Sequence, residues 1–145
     1  MKIVYRYKEM PSKITGTIKR PIARIQIWST KLNKWIKIEG FLDSGADISL
    51  IPFGLGRMLG FKIDEDNVKV LGGEDNVKVL GGIGEGRVSV CVVEGKVRIG
   101  NIEFPARIGW AFDNRVPTLI GRLDIFERFN ITFKEKEGKI IFEPV

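Results

Sequence analysis

An apolar segment leads into an acid and a turn at Phe41, Leu42, Asp43, Ser44, Gly45, Ala46, Asp47. Gly45 can adopt backbone angles that are closed to other residues, and Ser44 can both donate and accept hydrogen bonds. A carboxylate on such a turn can be held rigidly and still be exposed. We therefore interpret Asp43 as half of a catalytic site, with Ser44, Gly45 and Ala46 as the loop around it.

A single carboxylate is a poor hydrolytic device, because it cannot act as general base and general acid in one encounter. Two carboxyls roughly 3 Å apart share one proton, so that one activates water while the other protonates a carbonyl oxygen. The tripeptide Asp-Ser-Gly occurs once in the sequence. If the site uses paired carboxyls, the second must come from another copy of the chain.

Two further stretches follow in order. Residues 81–86 read GGIGEG, a glycine-rich hairpin tip between strand-like runs, and residues 119–122 read LIGR. Together the three stretches resemble the retropepsins, the retroviral-type aspartic proteases, over residues 22–133. The resemblance implies an all-β protein: a closed β-barrel with a flap hairpin and one short C-terminal helix, working as a homodimer on a peptide or unfolded protein.

The resemblance also implies roles for individual residues. Asp43 would be the catalytic acid, Ser44 would hydrogen-bond across the dimer axis, and Gly45 would meet the substrate backbone. Asp47 and Arg122 match a supporting ion pair, expected to be buried. The flap would contain Gly81, Gly82, Ile83 and Gly84, and the cleft wall would contain Leu119, Ile120 and Gly121.

Composition and length fit this interpretation. The 145 residues suit one domain, with a basic N-terminal segment at 1–21 and a C-terminal hairpin extension at 134–145. The start has no apolar signal-like run and no later run is long enough to span a bilayer, so we expect a cytoplasmic protein without membrane contact.

Residue types that are rare or missing narrow the chemistry. The chain has no histidine, which removes Ser/His and Cys/His nucleophilic mechanisms and the commonest zinc sites. Its single cysteine, Cys91, lies in an apolar run and is expected to be a buried hydrophobe. The glycines at 81–86 match neither common phosphate-binding spacing. We expect no cofactor and no metal.

The charge is uneven along the chain. Residues 1–40 hold ten Lys or Arg against Glu9 and Glu39, a net charge of +8. The remaining residues carry −2, which gives the chain its net charge of +6. A basic arm can bind nucleic acid. These charges are scattered through strand-like segments, which is typical of a solvated sheet face, so nucleic acid is not the expected partner.

Periodicity predicts the remaining elements. We expect strands at 2–7, 22–28, 35–42, 47–51 and 102–110, with Pro105 marking an edge or bulge. Residues 87–99 are predicted to form a hairpin that turns at Glu94 and Gly95. A short helical turn is expected after Pro52, a helix at 122–128, and a last hairpin from strands at 131–133 and 140–142.

One segment is duplicated: residues 65–73 read EDNVKVLGG, and residues 74–82 repeat them letter for letter. Because strand faces alternate with period two, nine extra residues in one continuous strand would turn the following side chains to the opposite face. The first copy is therefore expected to form an extra hairpin arm or a bulged loop, and the second copy to enter the flap.

Two alternatives to the protease remain open at this stage. One is a non-catalytic dimeric β-domain that binds extended peptides or scaffolds an assembly. The other is a nucleic-acid-binding domain that uses the basic first forty residues. Proteolysis with an acidic to mildly acidic optimum that disappears in Asp43→Asn would exclude both, whereas nucleic-acid binding would fall with salt and ignore Asp43.

Overall fold

The computed structural model describes residues 1–72 and 87–145. Of these described residues, 58% are in strands. The strands are β1 (Ile3–Arg6), β2 (Lys8–Ser12), β3 (Gly16–Arg20), β4 (Ile22–Ser29), β5 (Lys34–Leu42), β6 (Ser49–Ile51), β7 (Val68–Gly72), β8 (Arg87–Ile99), β9 (Ile102–Ala111), β10 (Leu119–Ile120), β11 (Phe129–Lys134) and β12 (Lys139–Pro144).

Six of these strands close into a barrel, which confirms the predicted all-β barrel. Their order is β4-β5-β10-β6-β9-β8, and the pairing of β4 with β8 joins the two ends. β7 adds a further strand at the beginning of β8, where it pairs with residues 87–91. The predicted homodimer is a statement about two chains and remains a prediction.

Alternating burial explains why these strands fill the barrel. In β4, Ala23, Ile25 and Ile27 are buried while Arg24 is exposed, the pattern of a strand with one face on a core. Trp110 on β9 is among the largest fully buried side chains, and its indole donates to the carbonyl oxygen of Phe53 at 2.9 Å. This buried ring and its hydrogen bond thus link β9 to Phe53, in the segment that follows β6.

The hairpin predicted at residues 87–99 is wrong. β8 runs without a break through Glu94 and Gly95 and pairs with β9 from Val90 to Ile99, so the turn falls at Gly100. Gly95 serves packing instead, because a Cβ there would lie 3.1 Å from Ile108 Cδ1 and 3.2 Å from Phe61 Cζ. Pro105 pairs with Lys96 of β8 and lies outside the three residues of β9 that pair with β6, as an edge position requires.

The predicted C-terminal helix at 122–128 is also wrong as an α-helix: only Phe126–Arg128 form a short 3-10 helix. The backbone N–H groups of Arg122 and Leu123 donate to carbonyls of another loop, and Asp124 has a left-handed φ of 63°. Within the described residues, the one α-helix is α1 (Phe53–Met58), where a single helical turn was expected after Pro52.

The two chain ends pair with each other. β11 and β12 form the predicted last hairpin, and β1 pairs with β12 to give a sheet of order β1-β12-β11. β2 and β3 form a separate hairpin within the basic first 21 residues. The terminal strands therefore find partners within one chain.

The described part of the first copy, residues 65–72, pairs with β8 through β7, and its expected role as an extra hairpin arm or bulged loop stays a prediction. Glu65–Asn67 make a 3-10 turn, and β7 then pairs antiparallel with β8. The second copy lies outside the described residues. No helix within 1–72 and 87–145 has the length and apolar composition needed to cross a membrane.

Candidate active site

Asp43 follows directly on β5, whose last residue, Leu42, is buried. β10 lies parallel to the end of β5, with Ile120 beside Leu42. The Asp43 N–H donates to the carbonyl oxygen of Ile120 at 3.0 Å, and the Phe41 N–H donates to that of Thr118 at 3.0 Å. The backbone of Asp43 is therefore fixed by a second strand at the point where the turn begins.

Two hydrogen bonds within the loop hold Asp43 in place. The Gly45 N–H donates to Asp43 Oδ1 at 2.9 Å, and the Ala46 N–H donates to the carbonyl oxygen of Asp43 at 3.2 Å. Ala46 is fully buried, Ser44 and Gly45 are exposed, and Asp43 is half-buried. No described residue donates a hydrogen bond to Asp43 Oδ2. Among the described residues, the carboxylate is thus oriented through Oδ1.

The residues after β10 hold the far side of the same loop. The N–H groups of Arg122 and Leu123 each donate at 2.9 Å, to the carbonyl oxygens of Ala46 and Asp47. The Gly121 N–H donates to Ser49 Oγ at 2.9 Å in a buried setting. Residues 120–123 therefore bond to the loop at Asp43, where it begins, and at Ala46 and Asp47, where it ends.

Gly121 fits this position because it has no side chain. A Cβ there would lie 2.5 Å from the carbonyl carbon and oxygen of Ile48 and 2.9 Å from the carbonyl oxygen of Ala46. Such distances are too short for any real contact, and backbone atoms cannot turn aside. The glycine of the LIGR motif is thus a close-packing residue between two backbone segments.

Leu119, Ile120 and Gly121 were expected on a cleft wall, and the structure buries all three. Leu119 packs with Ala46 and Leu50 in a small apolar cluster, whereas Ile120 belongs to the main core. Their position follows from β10 lying between β5 and β6 in the barrel. In the single chain the side chains of Leu119 and Ile120 pack in the core below the barrel surface, next to the Asp43 loop, and do not line an open groove.

The expected buried ion pair of Asp47 and Arg122 is not formed in the single chain. No contact within 4 Å joins the two charged groups, and both residues are exposed around an open depression of about 370 Å³. An exposed pair is worth only about 0–1 kcal/mol, too little to fix two solvated side chains. The connection between these segments is made by backbone hydrogen bonds instead.

A different ion pair braces this region. The Asp124 carboxylate accepts from Arg107 Nε at 2.8 Å and Nη2 at 3.0 Å, and also from the Arg107 N–H at 2.9 Å. Side-chain hydrogen bonding from Arg107 is the main cause that lowers the pKa of Asp124 to about 2. This bidentate contact ties the turn after Arg122 to β9.

Sequence reasoning missed both Asp124 and Ser49. Asp124 lies at the start of the predicted helix at 122–128, where an acid is common and carries no special signal. Ser49 is 5% exposed and stands between Ile48 and Leu50, so a small hydroxyl in an otherwise apolar strand was the available signal.

The proposed flap residues lie outside the part of the chain that the structure describes. They are Gly81, Gly82, Ile83 and Gly84. Across residues 1–72 and 87–145, no group of three or more His, Cys, Asp or Glu side chains is placed to hold a metal ion.

Comparison with known proteins gives matches at the level of structure. No protein-family model matches the sequence, and no curated protein does. A retropepsin-like aspartic protease from Rickettsia conorii matches with a TM-score of 0.56 and 18% identity, over 97% of this chain and 98% of that one. The retroviral protease-like domain of Ddi1 from Leishmania major matches with a TM-score of 0.52 and 16% identity, over 86% and 94%.

EIAV protease, solved with an inhibitor, matches with a TM-score of 0.48 and 20% identity, over 81% of this chain and 92% of its own. The first two similarities extend over most of both chains and agree with the resemblance carried by the three motifs. The fold of this chain is that of the retropepsin-like aspartic proteases.

Proposed function

We propose that this protein is a homodimeric aspartic endopeptidase in which each chain supplies one Asp43 carboxyl. The observation that carries the proposal is the placement of Asp43 on a loop held from both sides. Its N–H bonds to Ile120, its Oδ1 accepts from Gly45, and its other oxygen has no described donor. The retropepsin-like fold supports the same chemistry.

The reaction follows from two such carboxyls sharing one proton. The ionised carboxyl takes a proton from a water molecule as the water oxygen attacks the peptide carbonyl carbon, and the protonated carboxyl gives its proton to the carbonyl oxygen. The carboxyl that took a proton from water then gives it to the amide nitrogen, the other carboxyl takes a proton from one hydroxyl of the tetrahedral diol, and the C–N bond breaks to leave a carboxylic acid and an amine. Each carboxyl returns to its starting role for the next water.

The substrate is an extended polypeptide. A peptide that pairs as a strand offers its carbonyl at a fixed height above the two acids, and alternate side chains enter pockets on either side. A peptide or an unfolded protein has such a segment free, whereas a folded domain does not. We therefore expect cleavage of unfolded proteins rather than folded ones.

Cleavage of an unfolded protein mixture from about pH 3 to about pH 8 tests the proposal. Asp43→Asn should lower the rate at least about a hundredfold, the smaller end of what general acid–base catalysis contributes. Asp66→Asn makes the same change at an exposed carboxylate on a short 3-10 turn and should cleave like wild type. A folded wild-type dimer that gives no peptides would reject the protease and favour the peptide-binding β-domain.

Subunit mixing tests whether the two acids come from two chains. When wild type is mixed with an equal amount of Asp43→Asn and the dimers exchange, only about a quarter of the dimers carry two intact acids. Activity should then be about a quarter of that measured for wild type alone at the same total protein concentration. A value of about one half would mean that each chain works alone.

A further inference from the structure

We infer that Ser49 is a positioning residue for Asp43, acting through the backbone of residues 120 and 121. This inference rests on the proposed function for its effect on catalysis. The link consists of two hydrogen bonds, from the Gly121 N–H to Ser49 Oγ at 2.9 Å and from the Asp43 N–H to the Ile120 carbonyl at 3.0 Å. Both involve the same short stretch of chain.

The first bond is buried and specific. Ser49 is 5% exposed, and its hydroxyl oxygen accepts the N–H of a glycine that is itself buried. A buried N–H that loses its acceptor keeps its full desolvation penalty, so the chain moves to find another partner. Removing the Ser49 hydroxyl should therefore displace Gly121.

The second bond carries that displacement to Asp43. β10 contains only Leu119 and Ile120, so few ladder bonds hold it in place. A Cβ at Gly121 would lie 2.5 Å from the Ile48 carbonyl, so the backbone here is closely packed and Gly121 has little room to move without moving Ile120. The Ile120 carbonyl is the acceptor for Asp43, so a shift at residue 121 reaches the loop that orients the carboxyl.

The chain offers a matched control. Within the described residues, the buried polar side chains are Ser29 and Ser49. Ser29 Oγ donates to the Met58 carbonyl at 2.7 Å and accepts from the Leu32 N–H at 3.0 Å, at the end of β4 beside α1. Ser29→Ala removes an equally buried hydroxyl from a place with no bond to residues 43–49 or 119–123.

The experiment compares Ser49→Ala, Ser49→Cys and Ser29→Ala with wild type. Ser49→Cys keeps nearly the same volume and so guards against failure to fold, while its sulfur is a weaker acceptor. Both Ser49 variants should lower kcat, Ser49→Ala by roughly tenfold to a hundredfold, because a displaced catalytic group costs that much. They should also shift the pH–rate profile, while Ser29→Ala lowers only thermal stability.

A readout that needs no substrate separates this inference from the proposed function. The carbon-13 chemical shift of the Asp43 carboxyl, measured at one fixed pH, should change in both Ser49 variants and stay at the wild-type value in Ser29→Ala. Wild type without proteolytic activity would reject the function and leave this measurement to decide the positioning. Equal effects of Ser49→Ala and Ser29→Ala on kcat, pH profile and carboxyl shift would overturn the inference.

Discussion

Replacing Gly121 by alanine should damage the fold at the centre of the candidate site. The added Cβ would lie 2.5 Å from the carbonyl carbon and oxygen of Ile48 and 2.9 Å from the Ala46 carbonyl oxygen. Overpacked cores lose typically 1–3 kcal/mol. Because these neighbours are backbone atoms of the same loop, we expect Gly121→Ala to lower the free energy of unfolding by about 3 kcal/mol.

Urea unfolding followed by the fluorescence of the three tryptophans measures this loss, at one protein concentration because dimerisation would couple to unfolding. Gly54→Ala is the control. Its Cβ would meet only the Asn114 side chain at 3.1 Å, and an alanine within α1 is itself favourable, so a change within about 1 kcal/mol is expected. If Gly121→Ala proved no more destabilising than Gly54→Ala, the close contact with Ile48 would be refuted as the reason for this glycine.

Two further predictions concern the support around the site. The pKa of Asp124 is lowered from 3.8 to about 2, chiefly by hydrogen bonding from Arg107, so its stabilisation is present above about pH 4 and lost as the pH falls through about 2. Arg107 is 56% exposed, so solvent screens the pair and its contribution to stability is small. Tm of Asp124→Asn should lie slightly below that of wild type at pH 7 and converge with it near pH 2. A gap in Tm that does not change with pH would contradict this. Deleting residues 74–82 leaves one complete repeat and all five register pairs between β7 and β8, so Tm should stay within about 4 °C of wild type, and loss of cooperative unfolding would show that the second copy is needed.

The sequence predicted the parts of the fold that depend on local chemistry. Asp43, Ser44 and Gly45 form the expected turn after a buried strand, because an apolar run followed by turn-forming residues has few other solutions. The last hairpin follows from strand-like periodicity, and the closed barrel was implied by the resemblance that the three motifs carry. The catalytic role of Asp43 remains a proposal.

The errors arose where tertiary contacts override a local signal. Gly95 resembles a hairpin turn, yet it continues β8 because Ile108 and Phe61 need the space that a side chain would take. Residues 122–128 have helical spacing, but Asp124, whose carboxylate binds Arg107 of β9, has a left-handed φ of 63° that an α-helix cannot contain. Neither partner is visible in the local sequence.

Three hydrogen bonds within one chain hold the Asp43 loop: the Asp43 N–H donates to Ile120, the Gly45 N–H to Asp43 and the Gly121 N–H to Ser49. In the proposed homodimer, the part of the ordering cost that these bonds meet is met when each chain folds. Dimerisation then has less of the loop to order as it brings the two carboxyls together, and the bond expected from Ser44 across the dimer axis would add to these three.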